Sequence, residues 1–160
     1  MISLKYIIPA VLILLSFVCY QAYSRGIYTL FNTGDLERVG IKQAQKILAQ
    51  QSVTIIDVRD LNEYSVSHLE GAHRYEEGML DTLEQNIPVL VYCTVGVRSN
   101  KLAKTMIDKG FSQVYDLKDG IIGWSNAELR VVNTHDETTD SIHVYNQYFG
   151  KLLKKGIPIY

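Results

Sequence analysis

Short apolar runs alternate along the chain with segments in which apolar residues recur every three or four positions. Residues 53–56 and 89–92 are short runs of β-branched and aliphatic side chains, which is typical of strands buried on both faces. A third candidate strand lies at residues 113–117. The alternation predicts an α/β fold, with a mainly parallel sheet that carries helices on both faces. The helices are expected at residues 41–51, 79–85, 99–107 and 120–128.

The N-terminal segment is strongly apolar. Residues 6–20 carry no charge and follow Lys5, and with the next three residues they reach the length of about 20 residues that crosses a bilayer. The tripeptide A-Y-S at residues 22–24 also fits the end of a cleavable signal peptide. We therefore predict that residues 1–24 form an apolar helix that is either a transmembrane anchor or a signal peptide. In both cases the domain is exported: it is anchored outside the cytoplasm, on the periplasmic side in a bacterium, or secreted after cleavage.

The rest of the chain divides into a linker, a domain and a C-terminal extension. Residues 25–40 contain turn-forming residues and are predicted to be a linker, and residues 41–132 hold the predicted sheet and helices. In residues 133–160, a polar stretch precedes apolar residues at helical spacing, which predicts an amphipathic helix docked on the domain. A contact with a membrane surface is the alternative. The residues with this spacing are Ile142, Tyr145, Phe149 and Leu152.

Composition narrows the class of protein only slightly. The chain has 160 residues, 47% hydrophobic and 21% charged, and its net charge of −1 gives no field that would recruit nucleic acid. Its two cysteines are Cys19, inside the N-terminal apolar run, and Cys93. The sequence has no CxxC pair and no Cys/His cluster at zinc spacing, so we expect no metal and no other cofactor. Cys93 is therefore predicted to be a free thiol.

The loop at residues 93–99, with the sequence CTVGVRS, carries the candidate chemistry. Cys93 ends a predicted strand and a helix begins at about Ser99, so a tight loop would turn its backbone N–H groups toward the sulfur. Gly96 permits the positive φ that such a loop requires, Arg98 adds a permanent positive charge, and Ser99 is a candidate N-cap. Together these features favour a reactive thiolate open to solvent. A cysteine at a strand end is otherwise often an inert core residue, but a glycine and an arginine in the same loop favour function.

This loop resembles the active-site loop of rhodanese-family sulfurtransferases, which commonly reads C-x-x-G-x-R-S. Upstream, residues 55–59 resemble the strand of the family that ends in D-V-R. Further matching segments lie at residues 63–64, 68–72 and 119–120, and Trp124 matches a tryptophan near the C-terminal end. The signatures occur in order over residues 41–130, so the chain is identified as a member of the rhodanese family with a single rhodanese-like domain.

The resemblance implies a two-step sulfur transfer through a persulfide on Cys93. The implied donor is thiosulfate or a persulfide, and the acceptor is cyanide, a thiol or an acceptor protein. Four side chains are expected to form a supporting network rather than to react: Asp57, Arg59, Glu63 and His68. The residues expected to bind the transferred sulfur are Thr94, Val95, Gly96, Val97, Arg98 and Ser99.

Two other functions remain open at this point. One is a persulfide carrier or sulfur-binding module with little turnover. The other is a phosphatase or an arsenate-handling enzyme, because related cell-cycle phosphatases use a C-x5-R loop to enclose phosphate. Here only four residues separate Cys93 from Arg98, which makes a smaller cradle. The shorter loop favours a persulfide over a phosphate.

Overall fold

The structure, a computed structural model, describes Ser16 and residues 36–160. Apart from Ser16, the predicted anchor or signal peptide at residues 1–24 lies outside the described residues, and so does the first part of the predicted linker. In the described part of the chain, no helix is both long enough and apolar enough to span a bilayer.

A sheet of five parallel strands forms the centre of the domain. Its strands lie in the order β1-β6-β5-β2-β4, and every neighbouring pair is parallel. Two further pairs lie outside this sheet: β3 with β7, antiparallel, and β8 with β9, parallel. The strands are β1 (Glu37–Val39), β2 (Thr54–Asp57), β3 (His68–Leu69), β4 (Ala72–Arg74), β5 (Val89–Tyr92), β6 (Val114–Leu117), β7 (Val131–Val132), β8 (Ser141–His143) and β9 (Ile157–Ile159).

Helices cover the sheet on both faces because residues of the central strands alternate between two apolar clusters. Leu90 of β5 packs in one cluster, with Ala44 and Ile121, whereas Val89 and Val91 pack in the other. This confirms the predicted α/β class with a mainly parallel sheet. The predicted helix at residues 79–85 is only a single 3-10 turn, Met79–Asp81. The α-helices are α1 (Ile41–Gln50), α2 (Leu61–Val66), α3 (Arg98–Asp108), α4 (Gly120–Asn126) and α5 (Gln147–Gly150).

The predicted linker at residues 25–40 extends too far into the domain. Residues 37–39 form the edge strand β1, which pairs with β6, and Val39 is completely buried. This strand was not predicted because two of the three side chains in its sequence, E-R-V, are polar and exposed.

The C-terminal extension is not the single amphipathic helix that its apolar spacing predicted. It consists of β8, the four-residue helix α5 and β9. Ile142 and Val144 are fully buried in the core, so this part of the extension packs on the domain as extended chain. A helix through this region is interrupted at Tyr145, whose φ of 67° lies in the left-handed region.

Candidate active site

Cys93 directly follows β5, at the carboxyl end of the parallel sheet. Its Sγ accepts a hydrogen bond of 3.1 Å from the backbone N–H of Gly96. Within the described residues, this is the one hydrogen bond that the loop backbone makes to Sγ, so the predicted ring of N–H groups from Thr94 to Ser99 is reduced to a single donor. The amide of Gly96 therefore holds the sulfur in place at the point where β5 gives way to α3.

Close backbone packing gives the loop its shape. Gly96 has a φ of 78°, and a side chain there would overlap the backbone carbonyl of Lys118. At the start of α4, the N–H of Ile121 donates to the Cys93 carbonyl at 2.9 Å. Gly120 allows this approach, because a Cβ at that position would meet the Cys93 carbonyl oxygen. Gly120 was matched to a segment of the family at residues 119–120, but its place against the active-site loop was not predicted.

Ser99 and Asp116 form a polar pair behind the sulfur. The Ser99 hydroxyl donates to Asp116 Oδ1 at 2.6 Å, and its Oγ lies 3.7 Å from Cys93 Sγ. Ser99 lies inside α3, whose N-cap is Val97, so the predicted N-cap role is wrong. The one proton of the Ser99 hydroxyl thus has two acceptors within reach, the Asp116 carboxylate and, at a longer distance, the Cys93 sulfur.

Arg38 is a contributor that sequence analysis missed. Its Nε donates to Asp116 Oδ2 at 2.8 Å, and its Nη2 donates to the Gly96 carbonyl at 2.9 Å. Arg38 therefore ties the edge strand to the loop and balances the buried Asp116 carboxylate. The residue falls in the segment that was predicted to be a linker, which is why no signal pointed to it.

Arg98 is held by Glu63 in a two-point ion pair. Its Nη1 and Nη2 donate to the Glu63 carboxylate at 2.7 Å and 2.6 Å. Thr94 completes the cluster, since its hydroxyl donates to Glu63 at 3.0 Å and accepts from Arg98 at 2.9 Å. Burial raises the pKa of Glu63, but hydrogen bonds from Arg98 and from the Asp60 amide and the charge of Arg98 outweigh burial and hold it below its ordinary value. The Glu63 carboxylate thus largely compensates the positive charge of Arg98, which was expected to act on the Cys93 sulfur.

Replacing Glu63 with Gln is expected to flatten the dependence of stability on pH. The folded-state pKa of Glu63 is lowered from 4.5, so its carboxylate contributes stability above that value and the contribution is lost as the pH falls through the lowered pKa. At neutral pH we expect the variant to lose about 1.5–3 kcal/mol of unfolding free energy, which is typical for hydrogen bonds to a charged group. Urea unfolding between about pH 6 and about pH 3 measures both effects. Glu70→Gln, in an exposed ion pair with Arg130, is the control and should change little. Parallel curves for Glu63→Gln and wild type would contradict this prediction.

Asp57 and Arg59 form a buried network beneath the site. Arg59 Nη2 donates to Asp57 Oδ2 and to the Ser67 carbonyl, both at 2.6 Å, and the Tyr92 hydroxyl donates to the same Asp57 oxygen at 2.6 Å. Burial and the charge of Asp57 raise the pKa of Tyr92 well above its ordinary value, so this hydroxyl stays protonated and keeps donating. The network links the end of β2 to the last residue of β5, directly before Cys93.

His68 lies at the side of this network rather than at the sulfur. Its ring stacks on Tyr64 with centroids 3.9 Å apart, and Nδ1 lies 3.1 Å from the Tyr64 carbonyl oxygen. His68 is not among the residues that line the cavity at Cys93. Among residues 36–160, no group of three His, Cys, Asp or Glu side chains is arranged to hold a metal ion.

A cavity of about 200 Å³ lies at Cys93. Cys93 is only 1% exposed, so the expectation of a thiolate open to solvent is wrong for this conformation. Two aromatic residues of the C-terminal extension line the cavity together with the loop, and sequence analysis had not placed them there. The lining residues are Cys93, Thr94, Val95, Val97, Arg98, Tyr145 and Phe149.

The domain presents one cysteine in a short loop at the carboxyl edge of a parallel sheet. This arrangement is typical of a class of cysteine-dependent transfer proteins. Comparison with known proteins identifies the family. The Rhodanese-like domain family matches residues 41–127. The thiosulfate sulfurtransferase GlpE of Glaesserella parasuis is 33% identical over 95 residues, which cover 56% of this chain and 87% of the relative. The chain therefore belongs to the rhodanese family. This confirms the predicted rhodanese-family sulfurtransferase with a single domain.

Solved structures share the fold. The crystal structure of the BH2092 protein from Bacillus halodurans matches with a TM-score of 0.55 at 21% identity, over 72% of this chain and 86% of that chain. The solution structure of the polysulfide-sulfur transferase homodimer from Wolinella succinogenes matches with a TM-score of 0.53 at 26% identity, over 62% of this chain and 80% of that chain. The family match ends at residue 127, so Tyr145 and Phe149 lie beyond it.

Proposed function

We propose that Cys93 carries sulfane sulfur as a persulfide between a small donor and an acceptor. The observation that carries this proposal is the position of Sγ, at the carboxyl end of β5 and 3.1 Å from the Gly96 amide. Ligands of open parallel sheets bind at this edge. A free cysteine held there by a backbone donor is suited to accept and release sulfur.

In the first half of the reaction, the Cys93 thiolate attacks the outer sulfur of the donor. With thiosulfate, the donor for which the GlpE relatives are named, the S–S bond of the donor breaks and sulfite leaves with the electron pair. With a persulfide donor, the leaving group is a thiolate. The product is a Cys93 persulfide, whose terminal sulfur carries the negative charge. The Gly96 N–H, already aimed at Sγ, is the preorganised donor for this anionic sulfur chain.

In the second half, cyanide or a thiolate attacks the terminal sulfur of the persulfide. The S–S bond of the persulfide breaks, the acceptor leaves as thiocyanate or as a new persulfide, and Cys93 is restored as thiolate. The ion pair of Arg98 with Glu63 holds Thr94, the residue after Cys93, through hydrogen bonds of 2.9 Å and 3.0 Å. The loop thus keeps its position while the sulfur is loaded and unloaded.

Mass spectrometry of the intact protein tests the proposal. After incubation with thiosulfate or a persulfide donor, we expect the mass of one added sulfur on Cys93, and its loss on adding cyanide with formation of thiocyanate. Cys93→Ser should add no sulfur and lose turnover by at least about 10³-fold, as expected when a nucleophile is removed. Cys19→Ser removes the only other cysteine of the chain and is the matched control, expected to behave as wild type. If no donor adds sulfur to Cys93, the proposal is wrong.

The burial of Cys93 favours a second candidate, a persulfide carrier that passes sulfur to an acceptor protein with little turnover of small molecules. Cys93 is 1% exposed beneath the C-terminal extension. Persulfide formation without thiocyanate release in the same assay would support this function. A phosphatase is disfavoured because Arg98, which would have to bind phosphate, is already held by Glu63. If the wild type hydrolyses an aryl phosphate and Cys93→Ser does not, a phosphatase function would be favoured instead.

We further propose that residues 1–24 export the domain. The support is the sequence: residues 6–20 are uncharged and apolar, and they follow a basic residue. Fused to alkaline phosphatase, which is active only outside the bacterial cytoplasm, the full chain should give activity, and a variant without residues 2–24 should give none. Carbonate extraction of membranes then separates an uncleaved anchor from a cleaved signal. Equal reporter activity with and without the segment would contradict export.

A further inference from the structure

The C-terminal extension supplies an aromatic wall to the cavity at Cys93. Tyr145 and Phe149 both line it, with ring centroids 6.1 Å apart. The Tyr145 ring lies 5.0 Å from the guanidinium carbon of Arg98, a cation–π contact that joins the extension to the active-site loop. Both residues lie in the C-terminal extension, beyond the segment that matches the Rhodanese-like domain family.

The backbone holds Tyr145 in a conformation that is strained for a side chain of its size. Its φ is 67°, and the Asn146 N–H donates to the Val144 carbonyl at 2.8 Å, which makes Tyr145 the centre of a γ-turn. The Tyr145 N–H donates to His143 Nδ1 at 3.2 Å. The Asn146 side chain caps α5 by accepting from Phe149 N–H at 2.9 Å. Strain of this kind persists only where the surroundings enforce it, and it is concentrated at functional sites.

The walls of the cavity offer little that would bind a dianion. Val95, Val97, Tyr145 and Phe149 contribute apolar surface, and Arg98 is already held by the Glu63 carboxylate through two hydrogen bonds. A dianion that enters such a cavity loses more hydration than a monoanion, and Arg98, the cation in the lining, already shares its charge with Glu63. An apolar group, by contrast, gains from burial against the aromatic rings.

We infer that Tyr145 and Phe149 select the sulfur donor: the site takes monoanionic sulfane donors that carry a small apolar group in preference to dianionic thiosulfate. The inference rests on the proposed function and names the substrate class of the same site. A cavity of about 200 Å³ has room for a small apolar group beside the reacting sulfurs.

Methanethiosulfonate and thiosulfate form a matched pair of probes. In both, the Cys93 thiolate attacks the outer sulfur and the S–S bond of the donor breaks. The leaving group is methanesulfinate in one case and sulfite in the other, each departing with the electron pair, and the product is the same Cys93 persulfide. The two donors differ in one substituent on the central sulfur, which is a methyl group in methanethiosulfonate and a charged oxygen in thiosulfate.

The experiment measures the rate of persulfide formation on Cys93 in a single turnover with each donor. Each rate is divided by the rate of the same donor with free cysteine, which removes the difference in intrinsic reactivity. We expect wild type to prefer methanethiosulfonate by about tenfold or more, the range that contact with one small apolar group provides. Tyr145→Gly, which suits the positive φ, and Phe149→Ala should each lower this preference by about tenfold. Tyr145→Phe keeps the ring and should keep the preference.

Tyr148→Ala is the matched control. Tyr148 lies in α5 beside Phe149, but its side chain is 73% exposed and does not line the cavity. It should leave the preference unchanged. If no donor adds sulfur in wild type or variants, the proposed function itself fails. If sulfur is added but the normalised preference is the same in wild type, Tyr145→Gly and Phe149→Ala, the function stands and the selective role of the extension is refuted. Circular dichroism checks that each variant is folded, and should Tyr145→Gly unfold, Phe149→Ala decides alone.

Discussion

The Gly96→Ala variant is expected to lose about 2–5 kcal/mol of unfolding free energy, because a left-handed backbone costs a side-chain-bearing residue about 1–2 kcal/mol and an overpacked contact costs about 1–3 kcal/mol. Gly96 has a φ of 78°, which a side chain disfavours, and its new methyl group would overlap the Lys118 carbonyl. Relief requires the loop to move, and that movement takes the Gly96 N–H away from Cys93 Sγ. Persulfide formation should fall by about 10²-fold, the effect of displacing a reacting group by about 1 Å.

Gly71→Ala is the control that separates the cost of a positive φ from the cost of the overlap with Lys118. Gly71 has a φ of 74°, nearly the same as Gly96, but nothing lies within 4 Å of the Cβ that the substitution adds. We therefore expect it to lose only the conformational part, about 1–2 kcal/mol, with normal persulfide formation. Urea unfolding and single-turnover sulfur loading measure both variants. Equal losses in stability and loading for the two would show that contact with Lys118 does not shape the site.

The Asp57→Asn variant is expected to lose about 3–5 kcal/mol of unfolding free energy, the effect of leaving one charge of a buried ion pair without its partner. Asp57 accepts hydrogen bonds from the Arg59 Nε, Nη2 and backbone N–H and from the Tyr92 hydroxyl. An amide has one oxygen and an NH₂ group, so it would face some of these donors with a further donor. Arg59 already has one buried nitrogen, Nη1, without a hydrogen-bond partner among the described residues, so further lost hydrogen bonds would add to that cost.

Asp81→Asn is the matched control for the buried pair. Asp81 accepts from Lys109 at 2.8 Å, but its side chain is 70% exposed, and an exposed pair of this kind contributes little to stability. Thermal and urea unfolding of both variants give the comparison. A loss in Asp57→Asn no larger than in Asp81→Asn would mean that the network beneath the site does not stabilise the fold.

The central strands and the cysteine loop were predictable because their signals are local. Residues 54–57 and 89–92 form β2 and β5 close to where their apolar runs predicted them. The loop that begins at Cys93 follows β5 directly, and the resemblance that it carried is confirmed by the family match over residues 41–127. A buried strand and a cysteine with nearby glycine and arginine are each recognisable within a few residues of chain.

The partners of the loop were predictable only in part, because they come from distant parts of the chain. Glu63 was expected in a supporting network, but its pairing with Arg98 was not. Arg98 pairs with Glu63, which lies 35 residues away, and Arg38 reaches Asp116 across 78 residues. The sequence shows the charge of Arg98 but not the carboxylate that compensates it. Arg38 lies in a strand of three residues at the sheet edge, too short and too polar to give a periodic pattern.

The C-terminal extension was mispredicted because apolar spacing alone cannot separate one long helix from two short strands joined by a short helix. Ile142 and Phe149 are spaced as on one helical face, yet Ile142 lies in β8, which pairs with β9 near the end of the chain. The positive φ of Tyr145 depends on neighbours that enforce it and has no signature in the residue itself. The aromatic wall of the cavity was therefore invisible in the sequence.

Where β7 pairs with β3, the fold continues past the end of the family match. The family match stops at residue 127, yet the Trp124 indole donates to the Arg130 carbonyl at 3.0 Å, and Val132, Ile142 and Val144 are completely buried. A fragment trimmed to the homologous segment would leave the surfaces beneath these residues bare to water. Any fragment or fusion of this protein must therefore keep residues beyond 127, because their apolar side chains complete the core of the domain.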